Sequence, residues 1–136
     1  MMIGLPRSGK STQAKRLSDK YGWPIVNTDS VRLATHGQRW WTEGEPLVWA
    51  ITKIMVSALF KAGHKTIILD NTNLNDEFRL EWVKYCDEIK HVYVNTSIDE
   101  CKKRAILTGQ DDLIEVIDRM ANILELPNEY LEIKPR

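Results

Sequence analysis

The sequence predicts an α/β fold: a parallel sheet of four to five strands sandwiched by helices, with a helical lid, in a single domain over residues 1–136. Three observations predict it. Short apolar runs without polar alternation, at residues 24–27, 65–70 and 91–95, suit strands buried on both faces of a parallel sheet. These runs alternate with helical patterns, the order that builds such a sheet. The first strand-like stub, residues 1–3, leads straight into a glycine-rich loop and then a helical pattern. A chain of 136 residues suffices for one domain with a real core.

The loop lies within Met-Met-Ile-Gly-Leu-Pro-Arg-Ser-Gly-Lys-Ser-Thr, residues 1–12. Gly4, four residues, then Gly9-Lys10-Ser11 match G-x-x-x-x-G-K-[ST] without mismatch. Gly4 and Gly9 admit backbone angles that a Cβ would forbid, so the loop through Pro6, Arg7 and Ser8 can wrap and turn its N–H groups inward. With the start of the helix expected from about Lys10, whose first turn holds Thr12, those groups form a nest for phosphate oxygens. Lys10 is a point charge for the β- and γ-phosphates, and Ser11 offers a hydroxyl to Mg²⁺. The implied ligands are a nucleoside triphosphate, ATP, and Mg²⁺. A chance match in a strand-to-helix turn is the competing reading. The strand-like stub before the loop argues against it, as does the helical pattern after it, with Ala14 and Leu17 inward and Lys15, Arg16 and Asp19 outward. The stub is very short for the centre of a sheet.

Net charge is zero, but unevenly spread. Residues 1–40 hold seven basic side chains (Arg7, Lys10, Lys15, Arg16, Lys20, Arg32, Arg39) against two acidic ones (Asp19, Asp29). The positive excess therefore lies with the loop, as a site for polyanions needs. It is not the long basic groove of a tight binder of long nucleic acid. Cys86 and Cys101 are too few and too loosely spaced for a disulfide frame or a zinc site, and read as reduced thiols of a cytosolic protein. The longest apolar stretch, residues 47–60, contains Lys53 and is too short to span a bilayer. With no signal peptide ahead of the loop, a cytoplasmic protein without a membrane partner is expected.

The first helix is expected from about Lys10 to Tyr21, stopped by Gly22 with Pro24 beyond. Asp29 follows the strand at 24–27, where ligands bind beyond the carboxyl ends of parallel strands. Thr28 or Asp29 as an N-cap would start a short helix with Asp29 and Arg32 one turn apart on one face. Asp29 reads either as that cap or, facing a γ-phosphate, as a base for an acceptor hydroxyl. Residues 35–46, with two glycines and a proline, read as a loop. Within it, Trp40 and Trp41 beside Arg39 are either a stacking platform for a base or anchors of the loop on the core. His36 has no partner in view. Residues 47–62 read as a long helix stopped by Gly63, with Leu47, Ile51, Ile54, Met55, Ala58 and Leu59 on its core face.

Asp70 ends the clearest strand, and a carboxylate there is the usual second ligand for Mg²⁺, often through water. The amides of Asn71-Thr-Asn-Leu-Asn75, Asn73 among them, are candidates to orient the acceptor or the Asp70 carboxylate. Asn75 or Asp76 also reads as the plain cap of a helix over 77–89. Beyond the strand at 91–95, Ser97 or Asp99 starts a helix, residues 108–112 break it, and residues 113–124 continue it. Helix, break, helix suits a lid over ATP at about residues 97–123. Arg104 is the first candidate for the cation it would bring to the transferring phosphoryl group, its alternative being a solvated helix face. Residues 130–133 are strand-like.

With a phosphate loop first, this alternation is the P-loop kinase type of α/β fold. Gly4-Leu-Pro-Arg-Ser-Gly-Lys-Ser-Thr12, Val26-Asn-Thr-Asp-Ser-Val-Arg32 and Asp70-Asn-Thr-Asn-Leu-Asn75 resemble, in order and rough spacing, the kinase domain of phage-type polynucleotide 5′-hydroxyl kinases. The resemblance covers most of the chain through three short blocks, of which the Asn-Thr-Asn-Leu-Asn turn discriminates best. It implies that Lys10 and Ser11 serve the phosphates and metal, and that Asp29 takes the proton of the acceptor 5′-hydroxyl. It also implies that Arg32 orients the acceptor through its 3′-phosphate, and that Arg104 steadies the transition state. The family has an acid where this chain has Asn71, and a second lid arginine where it has Thr108.

The function expected from these residues is transfer of the γ-phosphate of ATP to a 5′-hydroxyl of an oligo- or polynucleotide. A kinase for a small acceptor such as a nucleoside, nucleotide or sugar is the alternative, and an ATP-binding switch or bare hydrolase the second. Nothing in the pattern speaks to oligomeric state.

Overall fold

A computed structural model describes residues 1–135. In chain order they form β1 (Met2–Ile3), α1 (Lys10–Tyr21), β2 (Ile25–Val26), α2 (Thr28–His36), a 3₁₀ turn (Thr42–Gly44), α3 (Glu45–Lys61) and β3 (Ile68–Leu69). There follow α4 (Asp76–Leu80), a second 3₁₀ turn (Val83–Tyr85), β4 (Val92–Val94), α5 (Ile98–Leu107), α6 (Leu113–Ile123) and β5 (Leu131–Ile133). The described chain divides into two compact units. One comprises Met1–Gln13 with the chain from Asn71 onward, the other Ala14–Asp70.

Every strand pair among the described residues is parallel, as buried apolar runs linked by helices require. The single sheet of four to five strands is corrected in one respect. The five strands form a three-stranded sheet, β1-β4-β5, in the first unit and a two-stranded one, β2-β3, in the second. The physical reason lies at β1, which pairs with β4 on one edge. On its other edge the Gly4 N–H donates to Thr72 O (3.1 Å), but Met2 O accepts from the Asn73 side-chain amide (2.7 Å). Asn73 sits at φ 47°, a left-handed conformation that ends a regular strand. A side-chain bond thus stands where a ladder bond would otherwise extend the sheet.

In the first unit, α5 and α6 form the expected helix–break–helix, joined through Gly109 at φ 69°. Ser97 caps α5, its hydroxyl accepting from the Glu100 N–H (3.2 Å). The pair is packed, not free: Cys101, Ala105 and Ile117 are fully buried with Leu5 and Leu74, and Leu113, Met120 and Leu124 close around them. Truncating Ile117 to alanine removes about 2–5 kcal/mol of stability. Ile106→Ala, on the exposed side of α5, costs under about 0.5 kcal/mol. Urea unfolding of the two variants checks the difference.

The helix expected over 77–89 is shorter than read. Asn75 caps α4, accepting from the Phe78 N–H (3.1 Å), but α4 ends after five residues. The chain then tightens into the second 3₁₀ turn and buries Trp82, whose ring meets Tyr85 at 5.7 Å, while Leu80 and Val83 face out. Burial of one indole overrides the helical pattern.

In the second unit, α3 runs close to its expected span but buries a different stripe. Val48, Thr52 and Val56 face the core, whereas Leu47, Ile54, Met55 and Ala58 are exposed, Ile54 by 66%. The helix is apolar on several faces, so hydrophobicity alone does not fix its rotation. Thr52 tolerates burial because its hydroxyl donates to Val48 O (2.7 Å) in the same helix. The cap of α2 is Asn27, not the expected Thr28 or Asp29, its side chain accepting from the Ser30 N–H (2.9 Å). Both cysteines are free, and burial pushes both thiols up. No helix among the described residues is long and apolar enough to cross a membrane.

Candidate phosphate loop and acceptor site

The loop from Gly4 to Lys10 is shaped by hydrogen bonds to its own carbonyls. Ser8 N–H donates to Leu5 O (3.1 Å), turning the chain, and Arg7 at φ 65° and Gly9 at φ 99° carry the left-handed turn that re-aims the amides. The Gln13 N–H donates to Gly9 O (3.1 Å), which opens α1 directly behind the loop. Lys10 is buried, with its ammonium donating to Leu5 O (2.8 Å), so the charge is folded across the loop it serves. Ser11 and Thr12 stand exposed in the first turn of α1, and Pro6 is half-buried on the turn.

Gly4 is required by space. A Cβ there would lie 2.8 Å from Ser8 Oγ, 3.1 Å from the Val94 carbonyl oxygen and 3.3 Å from Lys10 Cγ. Ser8 is buried, and its Oγ has no hydrogen-bond partner among the described residues. Gly4→Ala forces these groups apart at a cost of about 1–3 kcal/mol. Urea unfolding of the variant against wild type checks the loss.

Two side chains from outside the loop fix its outer turn. The Thr96 hydroxyl, just beyond β4, donates to Ser8 O (2.6 Å). Arg104, on α5, donates from Nη1 to Arg7 O (3.2 Å) and Ser8 O (3.3 Å) and from Nε to Glu100 (3.0 Å). None of these bonds uses Nη2. The lid cation expected at the loop is therefore beside it, and Thr96 is a partner that no local pattern announces.

Asn73, expected at the acceptor, is engaged within the protein. It is buried, both hydrogens of its amide go to backbone oxygens (Met2 O at 2.7 Å, Asn71 O at 3.2 Å), and its own carbonyl accepts from the buried Arg79 (2.9 Å). Through the first of these bonds it clasps β1.

In the second unit, Asp70 is buried at the end of β3 and is held by Asn27, whose amide donates to Asp70 O (2.9 Å) and Oδ2 (3.0 Å). Asn27 thus both caps α2 and steadies the carboxylate, a double role missed in the sequence. Asp29, in the first turn of α2, is 61% exposed at its side chain. Arg32 reaches back to it, Nη1 donating to Oδ1 at 2.7 Å and to Thr28 Oγ1 at 3.2 Å. The other edge of Arg32 makes a bidentate pair with Glu45, Nε to Oε2 at 2.9 Å and Nη2 to Oε1 at 2.6 Å. Burial works against the guanidinium charge, but the carboxylates of Glu45 and Asp29 outweigh it and raise the Arg32 pKa.

The two loop tryptophans are exposed, Trp40 by 60% and Trp41 by 45%, so they do not anchor the loop in the core. The Trp40 ring lies 5.2 Å from the Arg32 guanidinium carbon, a cation–π arrangement, and its Nε1–H donates to Thr42 Oγ1 (3.1 Å). Trp41 meets the His36 ring edge-on at 4.8 Å, and His36 Nε2 lies 3.3 Å from Gly44 O. His36, without a role in the sequence, supports this loop.

A family model described as an AAA domain matches residues 1–124. The chain belongs to this family. Among solved structures, this AAA domain is similar to a gluconokinase from Sinorhizobium meliloti 1021 (TM-score 0.68, 15% identity, 98% of this chain and 79% of that one). It is similar to the Mycobacterium tuberculosis APS kinase CysC in complex with AMPPNP and APS (TM-score 0.68, 18% identity, 98% and 86%). It also resembles a chain of the Pnkp1/Rnl/Hen1 complex (TM-score 0.68, 28% identity), covering 76% of this chain but only 37% of that longer one. This AAA domain shares its α/β fold with these solved structures.

Proposed function

We propose that this domain transfers the γ-phosphate of ATP to the 5′-hydroxyl of a nucleic-acid end or small nucleotide. The observation that carries this reading is the sharing of Arg32 by an exposed carboxylate, Asp29, and an exposed indole, Trp40. A base for a hydroxyl beside an aromatic face suits an acceptor carrying both an alcohol and a nucleobase, which Trp40 and Trp41 would stack. The likeness at 28% identity to a chain of the Pnkp1/Rnl/Hen1 complex, which a second solved structure describes as an RNA repair complex, is in keeping with a nucleic-acid acceptor.

In the proposed reaction Asp29 accepts the proton of the acceptor hydroxyl as its oxygen forms a bond to the γ-phosphorus, and the bond to the bridging β–γ oxygen breaks to release ADP. Little covalent work falls to the protein, so positioning and charge carry the rate. The loop N–H groups from Arg7 to Thr12 and the Lys10 ammonium hold the phosphates, and Arg104 faces the charge on the transferred group. Ser11 and Asp70 are the proposed oxygens for Mg²⁺, a hard-donor set of the kind that ion takes together with water and substrate phosphates. When bound, the ion would neutralise charge on the β- and γ-oxygens.

The test offers a 5′-hydroxyl oligonucleotide, a nucleoside 3′-monophosphate, a nucleoside, gluconate and adenylyl sulfate side by side with labelled ATP. Label on the nucleic-acid and nucleotide acceptors is expected. Label on gluconate or adenylyl sulfate alone would replace this reading with a small-molecule kinase.

A further inference from the structure

Resting on the reading above, we propose that Glu45 is a positioning residue. It clamps Arg32 so that Arg32 holds the Asp29 carboxylate, and Arg32 is thereby a brace within the protein, not a grip on an acceptor phosphate. The geometry is that of a clamp. The Arg32 and Glu45 side chains are 10% and 14% exposed and meet fork to fork, whereas Asp29 faces solvent. An incoming phosphate would use the same Nε–Nη2 edge that Glu45 occupies. The opposite nitrogen, Nη1, is committed to Asp29 and Thr28, and the Trp40 ring lies against the guanidinium. Two carboxylates already surround this one cation, so a phosphate here would bring a third anionic group to it.

Local chemistry sets Glu45 in place. It is the first residue of α3, where the helix dipole favours an acid, and Pro46 follows at a position suited to the first turn. Gly44 before it is buried against His36, whose ring fills the space a Cβ would need. Arg32 and Glu45 thus belong to α2 and α3, and Asp29 meets Arg32 one helical turn away.

Glu45→Gln keeps the size and one acceptor oxygen but removes the charge that fixes the fork. The expected result is a fall in kcat of about 10- to 100-fold, the scale of a small misplacement at the reacting groups. KM for ATP and for acceptor stays within about twofold, as it must if the change is confined to the chemical step. Glu45→Asp, which keeps the charge, restores part of kcat. The preference for acceptors with a 3′-phosphate over those without is unchanged in both variants. If instead Glu45 merely occupied an acceptor-phosphate site, Glu45→Gln would lower KM for the 3′-phosphorylated acceptor selectively and spare kcat, which would overturn the proposal. Cooperative unfolding and ATP binding by each variant report on folding. Should Glu45→Gln fail to fold, Arg32→Gln carries the test: equal loss of kcat for acceptors with and without 3′-phosphate supports the brace, and loss confined to the phosphorylated one overturns it. Transfer by the wild-type protein with an unimpaired, folded Glu45→Gln overturns this inference alone. No transfer by the wild type to any nucleotide or nucleic acid overturns the functional reading and this inference with it.

Discussion

Replacing Arg104 with alanine is expected to lower the rate of phosphoryl transfer by about 10³-fold or more, the scale of losing a cation at the transferred group. The proposed role rests on how Arg104 is held. Glu100 fixes its Nε, and Arg7 O and Ser8 O fix its Nη1, so the guanidinium plane is set at the loop without engaging Nη2 in those bonds. A charge fixed before reaction needs no reorganisation when negative charge shifts onto the bridging oxygen. Arg104→Lys keeps the charge but loses the fork, and is expected to recover only part of the rate. Single-turnover measurements at saturating ATP separate this effect from binding. If Arg104 served only to brace the loop, ATP affinity would fall and the saturated rate would hold.

Asp29→Asn is expected to lower transfer by about 10²- to 10⁴-fold, the usual contribution of a positioned general base. Asparagine retains the oxygen that accepts from Arg32 Nη1, so the α2–Glu45 network keeps its geometry. What it loses is the capacity to take a proton. ATP binding, which falls to the loop groups, should stay within about twofold of wild type, since no ATP contact is assigned to this residue. Transfer at the wild-type rate would remove Asp29 from the mechanism. Weakened ATP binding with an unchanged saturated rate would give it a binding role.

Much of this was legible because it is local in the chain. Gly4, Gly9, Lys10 and Ser11 form a contiguous pattern, and the observed α1 spans the expected Lys10–Tyr21. The Asp29–Arg32 contact follows from helical spacing, and Ser97 and Asn75 follow from cap chemistry. What escaped is non-local or degenerate. Glu45 meets Arg32 across thirteen positions and a loop, a pairing no periodicity encodes. Thr96 meets Ser8, and Asn27 meets Asp70, across still longer separations. The rotation of α3 differs from the expected one because apolar residues lie on several of its faces, so periodicity does not single out the stripe of Val48, Thr52 and Val56 that is buried. The bond from Asn73 to Met2 O is equally non-local: an amide in a polar turn offers itself to a ligand or to the backbone, and the sequence does not place Met2 O beside it.

The most direct measurement is product mapping after incubation with γ-labelled ATP, Mg²⁺ and a 5′-hydroxyl oligonucleotide. The account predicts label on the 5′-terminal phosphate of the oligonucleotide, formed one for one with ADP and lost in Asp29→Asn. ADP released with free inorganic phosphate and an unlabelled oligonucleotide would contradict it.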